Sequence, residues 1–459
     1  MTGMTQPRSF PDKALVLGLG KTGLSCARYL GSRGVTVAVM DSRQAPPELV
    51  TARRELPDLS LFLGGFNPNV IKTAEWLVVS PGVSLREPPI AEAVAAAMEK
   101  GVPVMGDIEL FAQAARAPVA AITGSNGKST VTSLLGRMAH LAGIRAAVGG
   151  NLGQPALELL DDGVALYVLE LSSFQLESTR SLAPEVATVL NVSADHMDRY
   201  DNLADYAAAK KRILSGVRTA VLNLDDPQVR AMAGVATRDI GFSLGPPGQA
   251  SDFGVIEYDG APWIAQVGNR LLPAAEVAIK GRHNLANALA ALVMGQVCGL
   301  SEAAMLEALH TFRGLPHRTA LVAAKGGIDW YDDSKGTNPG ATVAALSGLI
   351  DPAGSRRAVL IAGGEGKGAD FTPLAPAVER AARAVVLIGR DAPLIERALA
   401  GRAEILHARD MMGAVRRAFA ATRPGDCVLL SPACASFDMF EDYAHRGRLF
   451  TAAVEALEV

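Results

Sequence analysis

In the segment Ala120-Ala121-Ile122-Thr123-Gly124-Ser125-Asn126-Gly127-Lys128-Ser129-Thr130, an apolar strand runs into a glycine turn, a lysine and two hydroxyls. That order aims backbone N–H groups at a nucleotide polyphosphate. Gly124 and Gly127 permit the tight loop, Lys128 lies against the β- and γ-phosphates, and Ser129 is in place to ligate Mg²⁺. The helix that follows turns its positive end toward the anion. Ile122 occupies the place of the first glycine in the longer phosphate-loop pattern, so this is a shorter G-x-x-G-K-S form. ATP chemistry is the first expectation.

Other residues with chemistry lie downstream. Tyr167-Val168-Leu169 reads as a buried strand that delivers Glu170 at its end, well placed for Mg²⁺. Val186 to Leu190 is a further strand, ending in a polar turn with Asp195 and His196, where His196 is either a ligand or a turn residue. Leu203 to Leu214 reads as a helix with Tyr206 and Lys210 on one face. A solvated basic helix end is the alternative for Lys210, and composition does not separate it from Lys211 and Arg212.

Two further groups of loops bind anions by composition. Gly18-Leu19-Gly20-Lys21-Thr22-Gly23 follows an apolar strand and precedes a helix from about Leu24 to Ser32, and a second strand from Val35 ends at Asp41. This is the dinucleotide fingerprint, open to NAD or to a nucleotide-linked substrate. Near the other end, strands empty into Asp332 to Asn338, Gly363 to Lys367 and Ser431 to Ser436. Three turns with lysines and hydroxyls at one sheet edge suit a small carboxylate-rich co-substrate.

The elements that must position these loops alternate, strand then alanine-rich helix, which implies an α/β protein on mainly parallel sheets. The 459 residues exceed one ordinary core and imply two or three domains, and 49% hydrophobic with 20% charged residues is a globular balance. A net charge of -3 supplies no basic field, so no nucleic-acid partner is expected. Cys26, Cys298, Cys427 and Cys434 form no C-x-x-C pair and read as reduced and structural. No membrane-spanning run is present, the stretch Met1 to Pro11 reads as a frayed start, and a cytoplasmic location follows.

Taken together, the segments Thr123 to Thr130, Glu170-Leu-Ser-Ser-Phe-Gln-Leu-Glu177, Asn191 to Tyr200, His283-Asn284, Gly314-Leu-Pro-His-Arg318, Asp333-Ser-Lys-Gly-Thr-Asn338 and Leu430 to Ser436 resemble the Mur ligases, in motif order and over essentially the whole chain. Within that family the loop has Asn126 where the L-alanine-adding branch has a histidine. The Glu170 and Asp195-His-Met-Asp-Arg-Tyr200 strings are similar to the D-glutamate-adding branch.

The resemblance implies a three-domain fold. A Rossmann-like UDP-sugar domain would span residues 1–106, a central P-loop ATPase-like domain 107–314, and a Rossmann-like, amino-acid-binding domain 315–459. It implies an ATP-dependent ligase that joins D-glutamate to UDP-N-acetylmuramoyl-L-alanine through an acyl phosphate, working as a monomer with ATP and Mg²⁺. ATP would meet Gly124, Ser125, Asn126, Gly127, Lys128, Ser129, Thr130, Asn284, Asn287, Arg318 and Asp333. Ser129 and Glu170 would hold one metal, and His196 with a carbamylated Lys210 a second. Lys128, His196 and Lys210 would carry the catalysis. Gly20, Lys21, Thr22, Asp41, Arg43, Ser80, Gly82 and Asn151 would hold the UDP-sugar. Lys335, Thr337, Lys367, Ser436, Phe437 and Tyr443 would take D-glutamate, with Tyr443 standing where the family often has phenylalanine.

Two other classes are weighed against this. A nicotinamide enzyme would rest on Gly18 to Gly23 but lacks an evident hydride-transfer site. A non-catalytic nucleotide binder should have lost Lys128, Glu170, His196 or Lys210, and all are present.

Overall fold

The computed structural model describes residues 10–350 and 356–458. Most of the stretch read as a frayed start, residues 1–9, lies outside them. Phe10 is described, and its ring packs 5.8 Å from that of Trp76 and 6.2 Å from that of Tyr29, so the start is anchored by this position.

The chain builds three sheets. The first is fully parallel, ordered Ser60–Leu63, Thr36–Asp41, Lys13–Leu17, Trp76–Val79, Val104–Met105. The second has a parallel core of Ala146–Gly150, Leu166–Glu170, Val119–Thr123, Val186–Val189, Thr219–Asn223 and Arg238–Phe242. Beyond it the sheet continues through Phe253–Tyr258, Ala261–Gln266 and Asn269–Pro273, which pair antiparallel with one another. The third orders Ala320–Lys325, Ile328–Asp332, Cys427–Leu430, Ala358–Gly363, Ala382–Ile388 and Glu404–His407, parallel except for the first. The two antiparallel additions depart from the expected parallel pattern, because each joins neighbours through a short turn rather than a helical crossover.

The central strands are buried on both faces, as the unbroken apolar runs Leu15–Leu17, Ala120–Ile122 and Val428–Leu430 require. The core on one face of the first sheet runs without interruption into one face of the second, through Leu24, Phe111, Leu157 and Tyr167. The third sheet is covered on both faces by its own helices. Parallel strands place their carboxyl ends on one edge, so the turns after Lys13–Leu17, Val119–Thr123, Leu166–Glu170, Ile328–Asp332, Ala358–Gly363 and Cys427–Leu430 form the functional rims. The first helix runs Lys21–Gly31 and so begins ahead of the expected Leu24, directly after Gly20. Gly23 lets this helix press onto the preceding turn, since a Cβ there would lie 1.9 Å from the Gly18 carbonyl oxygen. No helix among the described residues is long and apolar enough to cross a membrane.

Candidate active site

The phosphate loop is held by its neighbour turn. The Asn126 amide donates to Asn191 Oδ1 at 2.8 Å, Asn191 Nδ2 returns a bond to the Asn126 carbonyl at 3.0 Å, and Ser125 and Ser193 exchange two more. Gly127 caps the Lys128–Leu141 helix with φ of 85°, and a Cβ there would sit 2.4 Å from Asn287 Oδ1. The free amides at this helix start therefore face an open cavity of about 850 Å³. Asn126, Thr130, Asn284, Asn287, Arg318 and Asp333 line it, so the structure brings together the residues expected around ATP.

Lysines and acids converge at the loop. Lys128 Nζ donates to the carbonyls of Gly124 and Ser125, and Lys210 Nζ donates to the same Gly124 oxygen at 2.8 Å. Lys210 is 1% exposed, on the inner face of the Leu203–Lys211 helix, while Lys211 is exposed, which removes the solvated-end alternative. Burial, and then the charge of Lys128, hold the Lys210 ammonium well below the usual lysine range. Glu170 closes its strand buried, with Oε1 accepting from Asn151 at 2.7 Å and Oε2 without a partner. Asn151 thus stands on Glu170 rather than with the other residues expected at the UDP-sugar. Burial lowers His196 to about 4, leaving a neutral imidazole able to ligate. Burial pushes Asp195 up, but the charges of Lys367 and Lys128 and the hydrogen bond from Asn338 outweigh it and hold the carboxyl below its ordinary range.

Among the described residues no three His, Cys, Asp or Glu side chains cluster into a cage. The donors at hand are the orphaned Glu170 oxygen, the Ser129 hydroxyl and the His196 ring, a partial and mostly oxygen set. It fits Mg²⁺, which keeps water and phosphate ligands and needs few from protein.

The third sheet supplies the far wall. Arg318 Nη2 donates to Ser129 Oγ at 2.8 Å, and Lys367 Nζ meets Asp195 at 3.2 Å. Asn338 and Asn126 exchange amide bonds at 3.1 and 3.3 Å, and Asn338 also donates to Asp195 at 3.1 Å. Asp333 accepts from Thr319 and Ser431, and burial raises it to about 7. Lys335 lies over the Tyr443 ring, 3.8 Å from its centroid, and burial lowers it to about 8. Thr337 adjoins Lys335, its amide donating to the Lys335 carbonyl, and Ser436 is buried at the neighbouring turn. Phe437 is turned outward, 70% exposed, so it is not brought against these residues.

At the first sheet, Asp41 accepts from the Leu19 amide and from the amide and guanidinium of Arg43. Both of its oxygens are occupied, which leaves Arg43 rather than a free carboxylate to face a ligand and removes the basis of the NAD alternative. Ser80 Oγ donates to the Gly18 carbonyl at 3.1 Å, Gly20 caps the first helix, and Lys21, Thr22 and Gly82 sit at the rim beside them.

Family models match in the same order as the sheets: "Mur ligase MurD-like, N-terminal domain" over residues 12–106, "Mur ligase middle domain" over 122–295 and "Mur ligase, glutamate ligase domain" over 317–434. The chain belongs to the Mur ligase family. Similar curated Mur ligases include one from Nitrosococcus oceani, 53% identical over 97% of this chain and 96% of that protein, named "UDP-N-acetylmuramoylalanine--D-glutamate ligase". The protein of that name from Pseudomonas aeruginosa is 52% identical, over 96% of this chain and 98% of its own. Among solved structures, the UDP-N-acetylmuramate-alanine ligase of Thermotoga maritima superposes with a TM-score of 0.61 at 20% identity, covering 97% of this chain and 99% of that one. A pseudomurein peptide ligase type C from Methanothermus fervidus gives 0.61 at 17% identity, covering 98% and 100%. These two establish the Mur ligase fold.

Sequence reasoning gave no role to three residues of this Mur ligase site, although two of them, Asn338 and Arg199, stand in strings quoted above. Asn338 caps the Pro339–Leu349 helix and crosses to the phosphate loop, and an Asn-Pro pair was a legible helix start. Arg446 is fully buried, donating to the Ser334 hydroxyl and carbonyl and to the Cys434 and Ala435 carbonyls. Arg199 bonds to a loop of the first sheet. A lone arginine in a helix or turn carries no signal that separates it from a surface charge.

Proposed function

We propose that this chain is the ATP-dependent ligase that joins D-glutamate to UDP-N-acetylmuramoyl-L-alanine in peptidoglycan precursor synthesis, releasing ADP and phosphate. The observation that carries this reading is the meeting of Lys128, Lys210, Glu170 and the His196 turn with Arg318 and Lys367 from the third sheet. Its sequence context is more than half identical to ligases of that name over nearly their full length.

In this reading the substrate's L-alanine carboxylate attacks the γ-phosphorus of ATP and ADP leaves. The amine of D-glutamate, as the free base, then attacks the acyl carbon, and phosphate departs from the tetrahedral intermediate. Positioning and charge neutralisation do most of the work. The amides of Gly127 to Thr130, at the start of the helix, hold the phosphates in the loop that Ser125 and Asn126 fix to Asn191, Lys128 neutralises the transferring group, and Arg318 reaches the γ-phosphate from the third domain. Asn284, Asn287 and Asp333 take the nucleoside end. Mg²⁺, held by Ser129 and Glu170 with a second ion near His196, would neutralise phosphate and carboxylate charge. The burial of Lys210 beside the Lys128 ammonium supports its carbamylation: the neutral amine adds to CO₂, losing a proton and gaining a carboxylate that can ligate.

Gly20, Lys21, Thr22, Ser80, Gly82 and Arg43, with Asp41 holding its guanidinium, bind the UDP-sugar, while Asn151 orients Glu170. Lys335, Thr337, Lys367, Ser436 and Tyr443 take D-glutamate, and Phe437, turned outward, stands at the edge of that group. The domains divide as 1–106, 107–314 and 315–459, and the enzyme acts as a cytoplasmic monomer. The test is phosphate release with ATP, Mg²⁺ and UDP-N-acetylmuramoyl-L-alanine, comparing D-glutamate, L-glutamate, meso-diaminopimelate, L-lysine and no amino acid. Release that depends on D-glutamate supports the assignment; release driven by another amino acid moves the chain to a sister ligase.

A further inference from the structure

Arg199 lies in the turn that carries His196, its amide donating to the His196 carbonyl at 2.9 Å. Its side chain, 11% exposed, leaves that turn and grips the loop that follows the Trp76–Val79 strand. Nη1 donates to the Pro81 carbonyl at 2.9 Å and Nη2 to the Val83 carbonyl at 3.3 Å. Nη2 also meets Glu177 at 3.3 Å.

The flat face of the guanidinium lies on Phe174, 3.9 Å from the ring centroid, and the same ring packs against the His196 imidazole at 4.9 Å. On the other side of the gripped loop, Ser80 is bonded to the Gly18 carbonyl. Contacts therefore run unbroken from the Gly18 turn through Ser80 to Val83, Arg199 and Phe174 to His196. Only a planar fork can bond two carbonyls in its plane while stacking on a ring, which a lysine ammonium cannot reproduce.

We propose that Arg199 is a positioning residue that sets the separation between the two ends of the UDP-sugar site, the glycine turn with its Ser80–Gly82 loop and the His196 turn where the carboxylate reacts. This rests on the reading above that the UDP-sugar spans those two ends. A ligand that must touch both ends senses their spacing. UDP touches only the first end and ATP is held by the phosphate loop, so neither does.

The experiment compares wild type with Arg199→Met and Arg199→Lys by calorimetric affinity for UDP, for ATP and for UDP-N-acetylmuramoyl-L-alanine, with KM, kcat and Tm alongside. Loss of charge-assisted bonds to the loop should weaken the full substrate roughly 10- to 100-fold and lower kcat, while UDP and ATP stay within about twofold and Arg199→Lys recovers part of the loss. Unchanged affinity for the full substrate, or an equal loss for UDP and the full substrate, overturns the proposal. Should Arg199→Met not fold, Phe174→Leu keeps the carbonyl bonds and removes the ring between Arg199 and His196. A lower kcat with unchanged UDP binding is then expected, and an unchanged kcat overturns the idea. A wild type that binds the UDP-sugar but shows no turnover with D-glutamate sinks the functional assignment alone, since the affinity comparison still decides the role of Arg199.

Discussion

Lys128 and Lys210 donate to one and the same oxygen, the Gly124 carbonyl, each at 2.8 Å. Two ammonium groups on a single neutral acceptor repel, and the more buried Lys210 yields its proton more readily. A neutral amine beside a phosphate loop is primed for CO₂. Lys210→Ala should lower kcat by roughly 10²- to 10⁴-fold, with partial recovery on adding a short carboxylate such as acetate. Intact-mass measurement of the wild type in bicarbonate should show one added carboxylate that Lys210→Ala lacks. Full activity of Lys210→Ala would sink the idea.

Arg318 touches Ser129 across the boundary between the third and second sheets. An interaction made mainly to a transferring phosphoryl group shows in kcat more than in nucleotide affinity. Arg318→Met should lower kcat by about 10²- to 10³-fold and change ATP affinity far less, measured by turnover and by calorimetry. An effect confined to affinity would assign Arg318 to ground-state binding alone.

Lys335 is lowered to about 8 by burial and by the nearby Arg318. Below that pH it is an ammonium suited to a carboxylate of D-glutamate, and above it the charge fades. KM for D-glutamate should therefore climb as pH rises past about 8, and Lys335→Arg, which stays charged, should flatten that climb. A pH profile of KM for both proteins checks this.

Asp333 is raised to about 7 by burial, while the unfolded carboxyl titrates near its ordinary 3.8. Between those values the folded state binds the additional proton, so this group's contribution to stability falls as pH rises across the window. Chemical unfolding of wild type and Asp333→Asn at pH 5 and pH 8 should show the variant gaining on the wild type at pH 8, by on the order of a few kcal/mol. The same variant should bind ATP more weakly if Asp333 faces the nucleoside end.

Asn338 serves three partners, capping its own helix through Oδ1, exchanging bonds with the phosphate-loop Asn126, and donating through Nδ2 to Asp195. Asn338→Asp keeps the cap but sets a carboxylate against Asp195, so Tm should hold while kcat drops. Asn338→Ala should lose both, with about 0.5–2 kcal/mol of stability from the cap. Equal kcat in Asn338→Asp and wild type would exclude a role for this contact.

The glycine turns, Glu170 and the strand-end loops were legible because each is local: a few consecutive residues carry both the backbone geometry and the chemistry. Lys210 and Lys211 are adjacent and identical in type, and only the helix face that each takes tells them apart. The i, i+4 spacing puts Lys210 on the face of Tyr206, and its ammonium lies 4.3 Å from that ring's centroid. The antiparallel strands Phe253–Tyr258, Ala261–Gln266 and Asn269–Pro273 escaped notice, being only partly buried and so without an unbroken apolar run. The contacts of Arg199 and Arg446 were invisible for a different reason. Their partners are backbone carbonyls far along the chain, and a carbonyl leaves no mark in a sequence.

The buried Arg446 has a consequence for how the chain comes into being. It joins the turn at Ser334 to the turn at Cys434–Ala435, from within the Tyr443–Glu455 helix, which the ribosome makes after every other element described. Both turns emerge before the residue that ties them. A nascent chain can thus complete its phosphate loop early and still hold the Ser334 and Cys434 turns untied, until the Tyr443–Glu455 helix brings Arg446 between them.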